Sequence, residues 1–224
     1  MSQNFFEGAA VHDYASRPAR QVPGFADLHR MIIQLLSERV PADARLLVLG
    51  AGGGLELKAF ADARPGWTFE GVDPSADMLA LARTIAAEHV TRIELRQGYI
   101  EDASDGPFDA TASILTFHFI AREQRLETLR QLRRRLRPGA PLVLAHISFP
   151  QSEPERSTWI ARHVAYANPG TAPAQLQQSR DAIAARLTIL SPEEEEAQMR
   201  EAGFGGVSLF YAGLSFRGWI GYAE

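Results

Sequence analysis

The chain has 224 residues, 46% apolar and 22% charged, which suits one sizeable water-soluble α/β domain around a single core. A net charge of −4 argues against a nucleic-acid surface, and the lack of cysteine excludes disulfides, cysteine-based zinc sites and thiol nucleophiles. No apolar run approaches the roughly 18–20 residues of a membrane span. The opening Met1-Ser2-Gln3-Asn4-Phe5-Phe6-Glu7 lacks a basic stretch and a long apolar core, so no signal peptide is expected and the expected compartment is the cytoplasm.

The piece from Phe6 to Arg20 is aromatic and mixed in polarity, and reads as a short helix and a lid. Pro23-Gly24 breaks the chain, and Leu28, Ile32, Leu35 and Leu36 then fall on one face of a helix predicted over about 25–39. A strand at 46–50 leads to a helix at about 54–63, and Pro65-Gly66 turns the chain into a strand at 68–72. Pro74-Ser75 opens a helix to about 88, with Ser75 as its N-cap and Met78, Leu79, Ala82, Ile85 and Ala86 on its buried side. A strand at 92–96, a strand at 108–115, a helix at about 121–137 ended by Pro138-Gly139, and a strand at 141–147 follow. Strands alternating with helical patterns imply a parallel sheet with helices on both faces.

Residues 150–190 break the rhythm with Pro150/Pro154, Pro169/Pro173 and two helical stretches, and read as an insertion. Ser191-Pro192 starts a helix that Gly203 ends. Two short strands, Val207–Tyr211 and Leu214–Ile220, are separated only by Ala212-Gly213, and so short a link demands an antiparallel hairpin.

The segment that carries most chemistry is Leu46-Leu47-Val48-Leu49-Gly50-Ala51-Gly52-Gly53-Gly54, with Asp73 nineteen residues after Gly54. A strand, a glycine turn, a helix, a strand and an acid form a nucleoside-binding βαβ unit. The turn lets backbone approach a ligand, and the helix N-terminus faces anionic groups. The third glycine comes one residue earlier than in the dinucleotide pattern, with Leu55 at the dinucleotide position. Asp73 can accept from both ribose hydroxyls. In Gly98-Tyr99-Ile100-Glu101-Asp102-Ala103, either acid can accept from an adenine amino group and the next N–H can donate to the ring, or both acids are solvated loop residues.

The arginines at 122, 125, 130, 133, 134, 135 and 137 read as the solvated face of a helix whose stripe is Leu126, Leu129, Leu132 and Leu136. Glu193 to Glu196 suit the first turn of their helix through its dipole. His118, His146 and His163 show no ligand spacing, so no metal is expected.

Leu-Gly-Ala-Gly-Gly-Gly, Gly-Val-Asp-Pro-Ser-Ala-Asp-Met-Leu, Gly-Tyr-Ile-Glu-Asp-Ala and Arg-Leu-Arg-Pro-Gly-Ala-Pro-Leu-Val-Leu together resemble the core of a class I S-adenosylmethionine (SAM)-dependent methyltransferase over residues 46–147. The resemblance implies a Rossmann-like, seven-stranded, mostly parallel sheet with helices on both faces and a C-terminal antiparallel hairpin. It divides a single SAM-binding domain, 1–224, into a helical lid (1–40), the core (41–149), a helical insertion (150–190) and a closing helix and hairpin (191–224).

For the site, the resemblance implies that Gly50, Ala51, Gly52 and Gly54 line the methionine and ribose part, Asp73 with Pro74 the ribose, and Met78, Asp102 and Ala103 the adenine. Ile114 and Leu115 lie at the strand end beside the transferable methyl. His118 follows them, either as a general base with a pKa near neutrality or as a packing residue; His146 is a second such candidate. Asp13-Tyr14-Ala15-Ser16-Arg17 and Val22-Pro23-Gly24-Phe25 resemble the lid of small-molecule members, with Tyr14 and Arg17 closing over a sulfonium.

The family often has an acid two residues before the first glycine, where this chain has Val48, and Glu56 in the following helix does not automatically replace it. The implied function is methyl transfer to a small-molecule acceptor, with S-adenosylhomocysteine as product, no nucleic-acid or membrane partner, and an apolar insertion compatible with a homodimer. Two alternatives stay open. One is a carboxy-SAM-synthase-like enzyme, with Arg180 matching the carboxylate-holding arginine while Phe25 and Ile114 depart from that pattern. The other is a non-catalytic SAM-binding protein.

Overall fold

A computed structural model of the chain describes residues 16–224. Seven strands form one sheet: β1 (Arg45–Leu49), β2 (Thr68–Asp73), β3 (Ile93–Gln97), β4 (Ala110–Ile114), β5 (Pro141–Ile147), β6 (Phe204–Gly213) and β7 (Phe216–Ala223). Their order is β3-β2-β1-β4-β5-β7-β6, and every pair up to β5 is parallel. β7 enters antiparallel beside β5, and β6 pairs antiparallel outside it. The order reverses between β1 and β4, so the crevice beyond their carboxyl ends is the place where such sheets bind ligands.

The helices are α1 (Arg17–Gln21), α2 (Phe25–Ser37), α3 (Leu55–Ala63), α4 (Ala76–Ile85), α5 (Arg122–Arg134), α6 (Glu155–Ala167), α7 (Pro173–Arg186) and α8 (Pro192–Glu201). The two-residue period of the strands sorts their side chains onto two faces. Leu46, Val48, Ala110, Ala112, Val143 and Ala145 join one core with Leu28, Ile32 and Leu36 of α2, Phe60 of α3 and Val164 of α6. Leu47, Leu49, Leu142 and Leu144 join the other with Leu129 and Leu132 of α5 and Met199 of α8. β5 is buried along its whole length, as a central strand covered on both faces must be.

Local signals act where the sequence places them. The Ser75 hydroxyl accepts from the Met78 N–H at 3.3 Å and starts α4. Ser191 and Glu194 form a reciprocal capping box with Pro192 at the first helical position of α8. The helix expected to run to about 88 stops at Ile85, and a 3-10 helix occupies Ala87–Arg92.

Three expectations are corrected. The hairpin turns at Leu214-Ser215, not at Ala212-Gly213, which stay in β6. Leu214 takes the left-handed conformation (φ 54°), and the Ser215 hydroxyl is tied to His163 Nδ1 at 2.7 Å. Gly213 stays in the strand, paired with Phe216, and the Tyr211 hydroxyl fills the space its Cβ would need. Next, Arg125 and Arg135 are not solvated: both are fully buried. Glu195, expected only to favour a helix dipole, is buried as well.

Candidate functional site

The chain leaves β1 through the glycine loop at the sheet's carboxyl end. The N–H groups of Gly50 and Ala51 both donate to the Val72 carbonyl, at 2.8 and 3.0 Å, which folds the loop over β2. Gly50 and Gly54 have φ of 75° and 80°. A Cβ on Gly50 would overlap the Thr116 side chain, and one on Gly54 would come within 2.9 Å of Ala82 in α4. These two glycines therefore seat the loop against the β4 end and against α4.

Asp73 ends β2 beside this loop. One carboxylate oxygen accepts from the Gly52 N–H and the other from the Ser75 N–H, each at 2.9 Å. Burial raises the pKa of Asp73 against the lowering effect of those two bonds. Each oxygen keeps lone-pair capacity after its backbone bond, so the group is aimed and still able to accept. Met78 is buried on the first turn of α4, and Pro74 is exposed.

The acids after β3 have local work. Asp102 accepts from the Tyr99 N–H at 2.9 Å in a capping box, and the Ala103 N–H donates to the Ile100 carbonyl at 3.2 Å. Glu101 is exposed.

At the end of β4, Ile114 is buried and Leu115 is held at a φ of 57°. Its N–H donates to the Ala145 carbonyl at 2.6 Å. A left-handed leucine is strained, and such strain concentrates at functional positions. Thr116 contacts the Gly50 carbonyl at 3.4 Å, so the β4 end borders the glycine loop.

His118 is buried, with Nδ1 unpartnered among the described residues. Burial, reinforced by His146 and Arg125, drives its pKa well below the ordinary histidine range. That direction is away from the near-neutral value a general base needs and suits the alternative of a packing residue. Its ring lies 4.4 Å from Phe119 and 6.4 Å from His146, centre to centre.

Under His118 lies a network that sequence reasoning missed. The Arg125 guanidinium reaches Glu195 Oε1 at 2.5 Å, the Phe117 carbonyl at 2.6 Å, the Thr188 carbonyl at 2.5 Å and the Ile120 carbonyl at 3.3 Å. His146 Nε2 lies 2.9 Å from the same Glu195 oxygen. Burial works to raise the Glu195 pKa, but His146 and Arg125 together hold it below the ordinary carboxylate range. Thr188 returns a bond from its N–H to the His118 carbonyl at 2.9 Å. One guanidinium thus ties the segment after β4 to α8 and to the chain leaving α7. The signal was present: Arg125 stands four residues before Leu129 and seven before Leu132, on their stripe.

Glu56, left without a role in the sequence, is a second buried ionisable group. It sits on the first turn of α3, buried, and desolvation with repulsion from Asp73 pushes its carboxyl up to about 8. Leu176 and Ile183 on α7, and Leu187 just after it, pack on the core. Arg180 shares their stripe, and its Nε is buried with no partner among the described residues. Phe25 is half-buried with its ring 4.4 Å from His29, and Arg17 begins α1; Tyr14 lies outside the described residues. Asp62, Glu88 and His89 gather ligand-type atoms within 4.8 Å on the surface. Lys58, 2.9 Å from Asp62, and Arg92, 3.0 Å from His89, already complete that cluster.

Residues 46–139 match the methyltransferase domain family. The chain is 26% identical to the carboxy-SAM synthase of Chromohalobacter salexigens, over 98% of this chain and 83% of that one. It is 27% identical to the carboxy-SAM synthase of Methylococcus capsulatus, over 89% and 85%. Among solved structures, a putative O-methyltransferase from Nostoc punctiforme superposes with a TM-score of 0.69 at 19% identity, over 95% of this chain. This chain spans only 59% of that longer protein. The apo methyltransferase SibL gives 0.63 at 20% identity, over 94% and 62%. The glycine loop, the aimed Asp73, the seven-strand order with its inserted antiparallel strand and these likenesses agree: residues 46–139 carry a methyltransferase domain, the fold is that of solved SAM-dependent methyltransferases, and the chain is similar to the carboxy-SAM synthases over nearly its whole length.

Proposed function

We propose that the protein transfers the methyl group of SAM to a small-molecule acceptor. The observation that carries this reading is the apolar end of β4. Ile114 and the strained Leu115 set hydrocarbon beside the glycine loop, a floor suited to a methyl carbon and poor for a charged group. The described residues fit the cofactor: Asp73 is a buried carboxylate aimed by two backbone N–H groups, and Glu56 is a second buried carboxyl with no cation paired to it among those residues. Bound SAM supplies a sulfonium whose methyl carbon is already electrophilic.

The chain's own task is orientation and exclusion of water. Asp73 would hold the ribose, with Pro74 beside it. Gly50, Ala51, Gly52 and Gly54 would line the methionine side, and Met78, Asp102 and Ala103 the adenine side. His118, neutral and buried, would act as a wall and hydrogen-bonding group more than as a strong base. A small acceptor, rather than a nucleic acid, is supported by the net charge of −4 and by the burial or ion pairing of several α5 arginines.

A second reading has its own support. Arg180 presents a buried, unpartnered Nε on the inward stripe of α7, and the named relatives are carboxy-SAM synthases. Arg180 would then hold the carboxylate of a carboxylated SAM, although Phe25 and Ile114 bring no polar atom to it. Mass spectrometry of small molecules released from the denatured protein separates the two. SAM or S-adenosylhomocysteine, followed by transfer of labelled methyl to phenol, amine or thiol acceptors, is the expected result. Recovery of the carboxylated ligand, with its preference lost in Arg180→Ala, would replace the first reading by the second.

A further inference from the structure

Val48 stands where a carboxylate would face the glycine loop from β1, and nothing on β1 replaces it. A carboxyl group is nevertheless buried at the other end of that loop. Glu56 is the second residue of α3, which begins directly after Gly54, and the side chain is 4% exposed. The elements packed against α3 bring it no cation. On α2, His29 is buried against Phe25 and Phe60 and held neutral at about 4. Beyond α4, Glu88 and His89 belong to the surface cluster with Lys58 and Asp62. Just past α3, Arg64 bonds to Ser37, and Arg92 donates to the carbonyls of Ala61, Arg64 and Trp67. Of the charged groups on these elements, including Asp77 on α4, only Asp73 acts on Glu56, and it repels. Glu56 forms no ion pair among the described residues.

Two carboxyl groups thus flank one glycine loop, one engaged by the N–H groups of Gly52 and Ser75 and one bonded to its own backbone N–H but paired with no cation among the described residues. Buried carboxyls without a cation are unfavourable as anions, and such a site is complementary to a ligand that brings positive charge. We propose that Glu56 accepts the α-ammonium group of the SAM amino-acid moiety, taking over the role that Val48 leaves vacant. This rests on the cofactor assignment above. Its consequence is a proton balance: Glu56 enters the complex as a carboxylate, so the proton it carries in the free protein passes to solvent as the ligand binds.

The test is titration calorimetry at pH 7 in two buffers of different ionisation heat. The probes are S-adenosylhomocysteine, which keeps the ammonium, and 5′-methylthioadenosine, which lacks the amino-acid moiety. Wild-type protein is expected to release most of one proton per S-adenosylhomocysteine and none with methylthioadenosine. Glu56→Gln is expected to abolish the release and weaken S-adenosylhomocysteine about 10- to 100-fold, the scale of one charge-assisted hydrogen bond. Methylthioadenosine affinity should stay unchanged in the variant, which also shows that the variant site is folded. Equal S-adenosylhomocysteine affinity in both proteins, or binding without proton release, would overturn the assignment of Glu56 and leave the cofactor standing. No binding of either nucleoside to wild type would overturn both.

Discussion

Two buried ionic clusters lie at the carboxyl end of the same sheet, and they are built in opposite ways. Around Arg125 every charge has a partner: Glu195 and three backbone carbonyls take the guanidinium, and His146 stands beside the same carboxylate. Around the glycine loop, Asp73 and Glu56 bring two carboxyls, with no cation pairing Glu56 among the described residues. A closed cluster specifies structure, because its members satisfy one another. The open cluster is relieved in the free protein by the proton that Glu56 keeps, and its acceptor oxygens remain available to a ligand. The first cluster holds the β4 end and the insertion's exit in place; the second is the one that the function proposed above uses for binding.

The largest effect tests the closed cluster. Arg125→Ala should cost about 3–5 kcal/mol in urea unfolding, since it strands a buried carboxylate and several carbonyls. A double replacement, Arg125→Met with Glu195→Leu, should recover much of that loss. A double variant no more stable than Arg125→Ala would show that the carbonyl contacts, not the ion pair, dominate.

The open cluster should respond in binding more than in folding. Asp73→Asn keeps one acceptor oxygen where two backbone N–H groups now bond. It should weaken S-adenosylhomocysteine and methylthioadenosine alike, by roughly 2–3 kcal/mol in calorimetry, the cost of losing a charged acceptor. An effect confined to S-adenosylhomocysteine would place Asp73 away from the ribose.

Glu56 makes a pH-dependent prediction, in the stability of the free protein. Its folded pKa is raised to about 8, so the folded state holds a proton that the unfolded state has released. That contribution is complete below about pH 4.5 and is lost as pH rises to about 8. The stability of Glu56→Gln relative to wild type should therefore climb across that interval, by up to about 5 kcal/mol, and then level off. A flat difference would mean that Glu56 is ionised in the free protein. The histidines act in the opposite direction. His29 and His163 are lowered to about 4, so the unfolded state binds protons first, and stability falls as pH drops from about 6.5 to 4. His29→Leu, at a site whose Nε2 is unpartnered among the described residues, should reduce that acid slope by up to about 1.4 kcal/mol per pH unit.

Much of this was legible in the residues because it is local. The glycine turn, the Ser75 and Ser191 caps, the alternation of β1 and β5 and the presence of a closing hairpin each depend on neighbours a few positions away. The position of the hairpin turn was not legible. Gly213 looks like a turn residue, but Tyr211 and His163 moved the bend to Leu214-Ser215.

The sequence by itself determined the order of elements, the parallel core and the carboxylate at the end of β2, since hydrophobic period and turn chemistry are carried by adjacent residues. Only the tertiary structure decided which charges lie inside. Arg125 is buried because Glu195, seventy residues away, meets it there, and Glu56 is buried because the glycine loop carries the start of α3 against Asp73. A helix period marks a face, but the cost of burying a charge depends on partners that only folding brings together.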